Sequence, residues 1–166
     1  MDDLGSARRI SEQIVSGPTR FEDFYVYLST VSNLLGILHK YLLTNSRHSV
    51  ENLDDIREIL INIYQSLQSV LTTGTPIQFS LYKWKSFYRE INNNLLSTKF
   101  TVLLVEKLDL YSDLLSQKYG PNLRQAKTLK QADEDGRILL QRKREVLDGF
   151  REFKDGFDKA LRLLVR

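Results

Sequence analysis

Apolar residues recur along this chain at alternating three- and four-residue steps, the interval that lays a single stripe along an α-helix. Phe21, Phe24, Leu28, Val31, Leu35, Leu38 and Leu42 form the first run. Thr19 and Glu22 stand three apart directly after Gly17-Pro18, the pattern of a capping box, so a helix of about 24 residues is expected there. The polar stretch Thr44 to His48 interrupts it. Ser49 or Asn52 can cap the next helix, and Asp54 and Asp55 suit its positive end. Leu53, Ile56, Leu60, Ile63, Leu67 and Val70 then repeat the stripe, and Thr72-Thr73-Gly74-Thr75-Pro76 ends it, since Gly favours the position after a helix and Pro cannot continue one.

From about Phe79 to Tyr119 the pattern resumes with Leu81, Trp84, Tyr88, Ile91 and Leu95, and continues through Phe100, Leu104, Leu108, Tyr111 and Leu115 one residue out of phase. With no Gly or Pro between them, one continuous or slightly bent helix is the expectation; the alternative is a break between Asn92-Asn93-Asn94 and Ser97. Gly120-Pro121 is the next stop signal. Leu129, Ala132, Gly136, Leu139, Lys143, Val146, Phe150, Phe153, Phe157, Ala160 and Leu164 then keep strict heptad spacing, with Gly136 and Lys143 as the weak points. Leu4, Ile10, Ile14 and Val15 suggest a brief N-terminal helix packed across the rest, or an arm.

Strand signals are poor, because the β-branched residues fall inside helical periodicity. The expected fold is therefore all-α: an antiparallel bundle of about four main helices plus a short N-terminal one, with helices crossing near 20°. Residues 1–16 are the short helix or arm, 19–119 a three-helix portion, and 121–166 a long basic amphipathic helix, all within one domain. At 1.5 Å per residue the last helix spans roughly 60 Å against about 35 Å for the first two. The third is the natural cover for the excess, so the two long helices should form an extended hairpin on which the two shorter ones pack.

A chain of 166 residues, 42% hydrophobic and 27% charged with three prolines, can bury one real core and is not of disordered composition. It has no cysteine, which removes disulfides, thiolate metal sites and thiol nucleophiles. No Asn-X-Ser/Thr acceptor occurs, and Met1, Asp2, Asp3, Leu4 and Gly5 lack the apolar core of a signal peptide, so cytoplasm or nucleus is the expected location. The apolar run Val31 to Leu43 is interrupted by Asn33, His39 and Lys40 and falls short of the roughly 20 residues of a membrane span. The net charge of +3 is unevenly placed. Residues 121–166 hold twelve Lys/Arg against eight Asp/Glu, a balance of +4, and the rest of the chain is left at −1.

Candidate chemistry is sparse. His39 and His48, the only histidines, have no carboxylate or second histidine at ligand spacing; His39 reads as a helix-surface residue and His48 as loop. Asp54-Asp55 and Asp133-Glu134-Asp135 are consecutive, and consecutive helical residues point about 100° apart, so they read as helix-start charge and solvated face. The phosphate-loop, dinucleotide, hydrolase and zinc-protease templates are absent. Tyr82-Lys83-Trp84-Lys85-Ser86-Phe87-Tyr88-Arg89 interleaves aromatic and basic residues as a single-strand nucleic-acid platform would; the simpler account places Leu81, Trp84 and Tyr88 in the core and the cations in solvent. Gln141-Arg142-Lys143-Arg144 followed by Phe150, Phe153 and Phe157 is a basic amphipathic helix with an aromatic face. Those phenylalanines either complete the core or remain available for docking.

Missing chemistry and surplus stripe together point to a non-enzymatic interaction module without cofactor or metal: an adaptor, scaffold or complex subunit binding another protein, or a second copy of itself, by helix–helix or coiled-coil packing. Phe150, Phe153, Phe157, Leu161 and Leu164 are the expected protein-binding residues. The alternative is electrostatic attachment to nucleic acid or an anionic membrane through Arg137, Arg142, Lys143, Arg144, Arg151 and Lys154, which salt would weaken steeply.

Overall fold

In the computed structural model the chain is all-α. The structure describes residues 3–15, 24–44, 48–72, 74–76, 79–96, 98–119 and 129–165, and the side chains of these other than 3, 98–103, 117–119 and 129–135. Six helices fall among them: α1 Asp3–Gln13, α2 Phe24–Thr44, α3 Val50–Thr72, α4 Leu81–Asn94, α5 Thr98–Tyr119 and α6 Leu129–Val165. No helix among the described residues is long and apolar enough to cross a membrane.

The stripes of α2 and α3 are where the periodicity puts them. Phe24, Leu28, Val31, Leu35, Leu38 and Leu42 are buried, as are Leu53, Ile56, Leu60, Ile63, Leu67 and Val70. Phe21 and the Thr19–Glu22 box lie outside the described residues. Ser49 is the residue that caps α3: its Oγ accepts from the Asn52 amide at 3.0 Å, while the Asn52 side chain donates instead to the Tyr41 hydroxyl at 2.6 Å. Gly74 has φ +91°, a left-handed conformation that a Cβ would strain, and it turns the chain away from α3. The N-terminal segment is a docked helix. Leu4 and Ala7 of α1 join the core, Asn62 donates to the buried Ser11 hydroxyl at 3.0 Å, and Arg8 pairs with Asp55 at 2.9 Å. Ile10, read as part of its stripe, is 40% exposed.

The expected continuous third helix is two helices. α4 ends at Asn94, and the amides of Leu95 and Leu96 both donate to the Ile91 carbonyl at 2.9 Å. Geometry explains the break. The core residues are Trp84, Phe87, Ile91 and Leu95 on α4, then Leu104, Leu108, Tyr111 and Leu115 on α5. Nine helical steps from Leu95 to Leu104, at about 100° each, would turn the second stripe to the opposite side of a continuous rod. A joint resets the phase, and it follows directly on three consecutive asparagines, residues of low helix propensity.

α4 and α5 together match the length of α6, about 54 Å against about 55 Å at 1.5 Å per residue. They run antiparallel to it: Glu90 pairs with Lys159 at 3.2 Å, and a Cβ on Gly156 or Gly149 would lie 3.1 Å from a methyl of Leu95 or Leu104 respectively. The length expected of one third helix is thus divided between α4 and α5, both of which pack on α6. Residues 122–128, expected to begin the last helix, lie outside the described residues, as do the side chains of Leu129, Ala132 and Asp133-Glu134-Asp135.

Candidate interaction surface

Phe150, Phe153, Phe157 and Leu164 are not available for docking, which corrects the expectation that they form an exposed stripe. All four are at most 1% exposed. α2, α4 and α5 converge on this side of α6 and cover it, and His39 of α2 stacks on Phe150 with ring centroids 6.0 Å apart. Leu161 is partly buried against the same core.

The basic residues of α6 do not form one patch. Arg142 pairs with Glu145 at 3.0 Å and Lys154 with Asp158 at 3.0 Å. Lys143 and Lys154 are half-buried on the side that faces the two histidines. Arg137, Arg144 and Arg151 are exposed in one row at seven-residue spacing, but Asp148 and Asp155 are exposed on the same face and interleave negative charge with it.

Both histidines are more enclosed than their sequence contexts suggest. His48 is 6% exposed. Its Nδ1 lies 2.8 Å from the Tyr111 hydroxyl, its ring is 5.4 Å from that of Tyr41, and Nε2 has no hydrogen-bond partner of normal geometry among the described residues. Burial, then the charge of Lys143, lowers its pKa to about 4, against the opposing pull of the Leu42 and Tyr41 carbonyls. His39 is half-buried, and its enclosed Nε2 has no hydrogen-bond partner among the described residues; burial first, then Lys154 and Arg151, lowers its pKa, with Asp155 opposing. A histidine held neutral between two tyrosines joins α2, α5 and the α2–α3 turn. Its partner Tyr111 is sixty-three residues away, and no local signal could have paired them.

The aromatic–basic run on α4 divides between core and solvent, and the division differs from the expected one. Ser80 caps the helix, accepting from the Lys83 amide at 3.2 Å. Trp84 and Phe87 point inward, where Trp84 stacks on Phe87 at 5.5 Å and meets Phe24 edge-on at 5.4 Å. Leu81 and Tyr88, expected in the core, are 58% and 41% exposed. Phe87 takes the inward position in place of Tyr88, and it brings no hydroxyl that would need a buried partner.

What remains outside is a coherent flank. Leu81, Lys85, Tyr88 and Asn92 follow one another at four-three-four spacing, with Tyr82, 82% exposed, and Arg89 beside them. Trp84, Lys85, Tyr88, Arg89, Asn92 and Asn93 line an open concavity of about 450 Å³. Glu90, the sole acidic residue of α4, lies on the other flank, tied to Lys159 at 3.2 Å and to Asn94 at 2.7 Å. Near the start of α4, Tyr25 packs on Phe79 with ring centroids 5.2 Å apart, and Tyr25 and Val26 are themselves exposed. Comparison with protein-family models, curated proteins and solved structures finds no match to this chain.

Proposed function

We propose that the chain is a non-enzymatic interaction module, an adaptor, scaffold or subunit of a larger assembly, and that it docks a partner protein on the exposed flank of α4. The observation that carries this reading is the exposure of Leu81, Tyr82 and Tyr88 on one short helix, together with a concavity lined by Tyr88 and the molecule's single tryptophan. Apolar residues scattered singly over a surface are ordinary, but aromatic side chains gathered around a hollow and rimmed by polar ones match the anatomy of an interface core. The reading retains the docking role inferred from the surplus hydrophobic stripe and moves it from α6, whose stripe is consumed internally, to α4.

Site-specific photo-crosslinking tests it. A benzophenone amino acid is placed at Tyr82 or Tyr88, and at exposed Gln65 and Glu106 as controls, in cells that express the chain. Discrete adducts at 82 and 88 but not at the controls are the expected result. Adducts equally strong at all four positions, or none at 82 and 88, would remove the α4 flank as the docking surface.

A further inference from the structure

Resting on that docking surface, we infer that its partner presents an acidic amphipathic helix, with carboxylates one turn apart beside an apolar residue. Lys85 and Arg89 are both exposed on this flank and stand four residues apart, so their side chains emanate about 6 Å from one another along the helix. Glu90, the one carboxylate of α4, is turned to the far flank and held by Lys159. The flank therefore carries positive charge with no internal anion on α4 to neutralise it. Trp84 and Tyr88 line the same concavity as the two cations, and their rings call for an apolar side chain. A partner helix with Glu or Asp at i and i+4 presents its carboxylates at the same 6 Å interval and an apolar residue between them, the arrangement of helix-in-groove recognition. Asn92 and Asn93 at the end of the hollow supply amide donors and acceptors for its polar rim.

A nucleic-acid strand fits less well. Its affinity grows with the number of phosphates neutralised, and this flank offers two close cations in a chain of net charge +3. The ring of Trp84 is also stacked on Phe87 and edged by Phe24, which withdraws it as a base platform.

The test uses the full chain and four defined probes: a 20-residue amphipathic helical peptide with Glu at i,i+4 beside a leucine stripe, the same peptide with Gln for Glu, a 15-nucleotide oligouridylate, and phosphatidylcholine vesicles with one-quarter phosphatidylserine. Binding is read from labelled-probe anisotropy and from the emission of Trp84. The acidic peptide should bind at least tenfold tighter than its Gln counterpart, and Lys85→Glu with Arg89→Glu should weaken it at least tenfold while helicity by circular dichroism is unchanged. Equal binding of the Gln peptide, tighter binding of oligouridylate or vesicles, or no binding of any probe overturns the acidic partner. If crosslinks at Tyr82 and Tyr88 persist in that event, the docking surface itself stands; if acidic-peptide binding ignores both the charge reversals and Tyr88→Ser, surface and partner fall together.

Discussion

Acidification should loosen this protein before its carboxylates begin to protonate, and His48 is the reason. Its pKa falls from 6.5 to about 4 on folding because burial, and then Lys143, disfavour the imidazolium. The folded state therefore binds that proton more weakly than the unfolded chain does. Stability contributed by neutral His48 is present in full above the unfolded value of 6.5, declines as pH falls through the interval, and stops declining near 4. At about 1.4 kcal/mol per unit the whole interval is worth about 3 kcal/mol, and solvent screening at the edge of the site brings that to about 2. His39, whose pKa is also lowered, acts with the same sign, so the measurement is best made in a His39→Gln background. Urea unfolding at pH 7, 6, 5 and 4.5 should show stability falling steadily when His48 is present. His48→Gln keeps a polar group near the Tyr111 hydroxyl and removes the titration, so its stability, lower at pH 7, should be nearly level between pH 7 and 5. Parallel slopes for the two proteins would refute the burial argument.

Other consequences follow from the packing. Phe153→Ala, in a fully buried site of α6, should lower unfolding free energy by about 3–5 kcal/mol, whereas Tyr82→Ser should change it by less than about 0.5 kcal/mol; denaturant midpoints compare the two. Ser80→Ala removes the acceptor that caps α4 and should cost about 1 kcal/mol, with hydrogen exchange speeding first in the opening turn of that helix. Tyr111→Phe leaves His48 Nδ1 without its hydroxyl partner and should destabilise by about 1–3 kcal/mol, read as a drop in Tm at pH 7.

How much of this was legible in the sequence depended on the range over which each feature is determined. The stripes of α2 and α3 are local, one phase per helix bounded by turn residues, so each apolar position predicted there that the structure describes is buried. α4 was harder because its run offers two overlapping stripes. Leu81–Trp84–Tyr88 and Trp84–Phe87–Ile91 both have helical spacing, and the second prevails because Phe24, distant in sequence, meets both Trp84 and Phe87 edge-on. The joint at Asn94 was visible as a change of phase. Without Gly or Pro to mark it, however, a bend and a break looked alike.

The candidate surface is the remainder of that competition. On spacing alone the phenylalanines of α6 read as a docking stripe, because a helix of this length outruns α2 and α3. α4 and α5, jointed so that both stripes face α6, supply the missing length between them and enclose Phe150, Phe153 and Phe157. Enclosing that stripe commits Trp84 and Phe87 inward and leaves Leu81, Tyr82 and Tyr88 on the outer flank of α4, beside Lys85 and Arg89. A helix whose core positions are already filled has no folding requirement for three further large apolar side chains in water, each of which favours association. If the flank had no docking role, replacing Leu81, Tyr82 and Tyr88 together by Ser, Gln and Gln would raise solubility and leave every adduct intact. The expected outcome is higher solubility with unchanged Tm and loss of the adducts at the edge of the concavity, read with the benzophenone placed at Lys85 in this triple variant and in the parent chain.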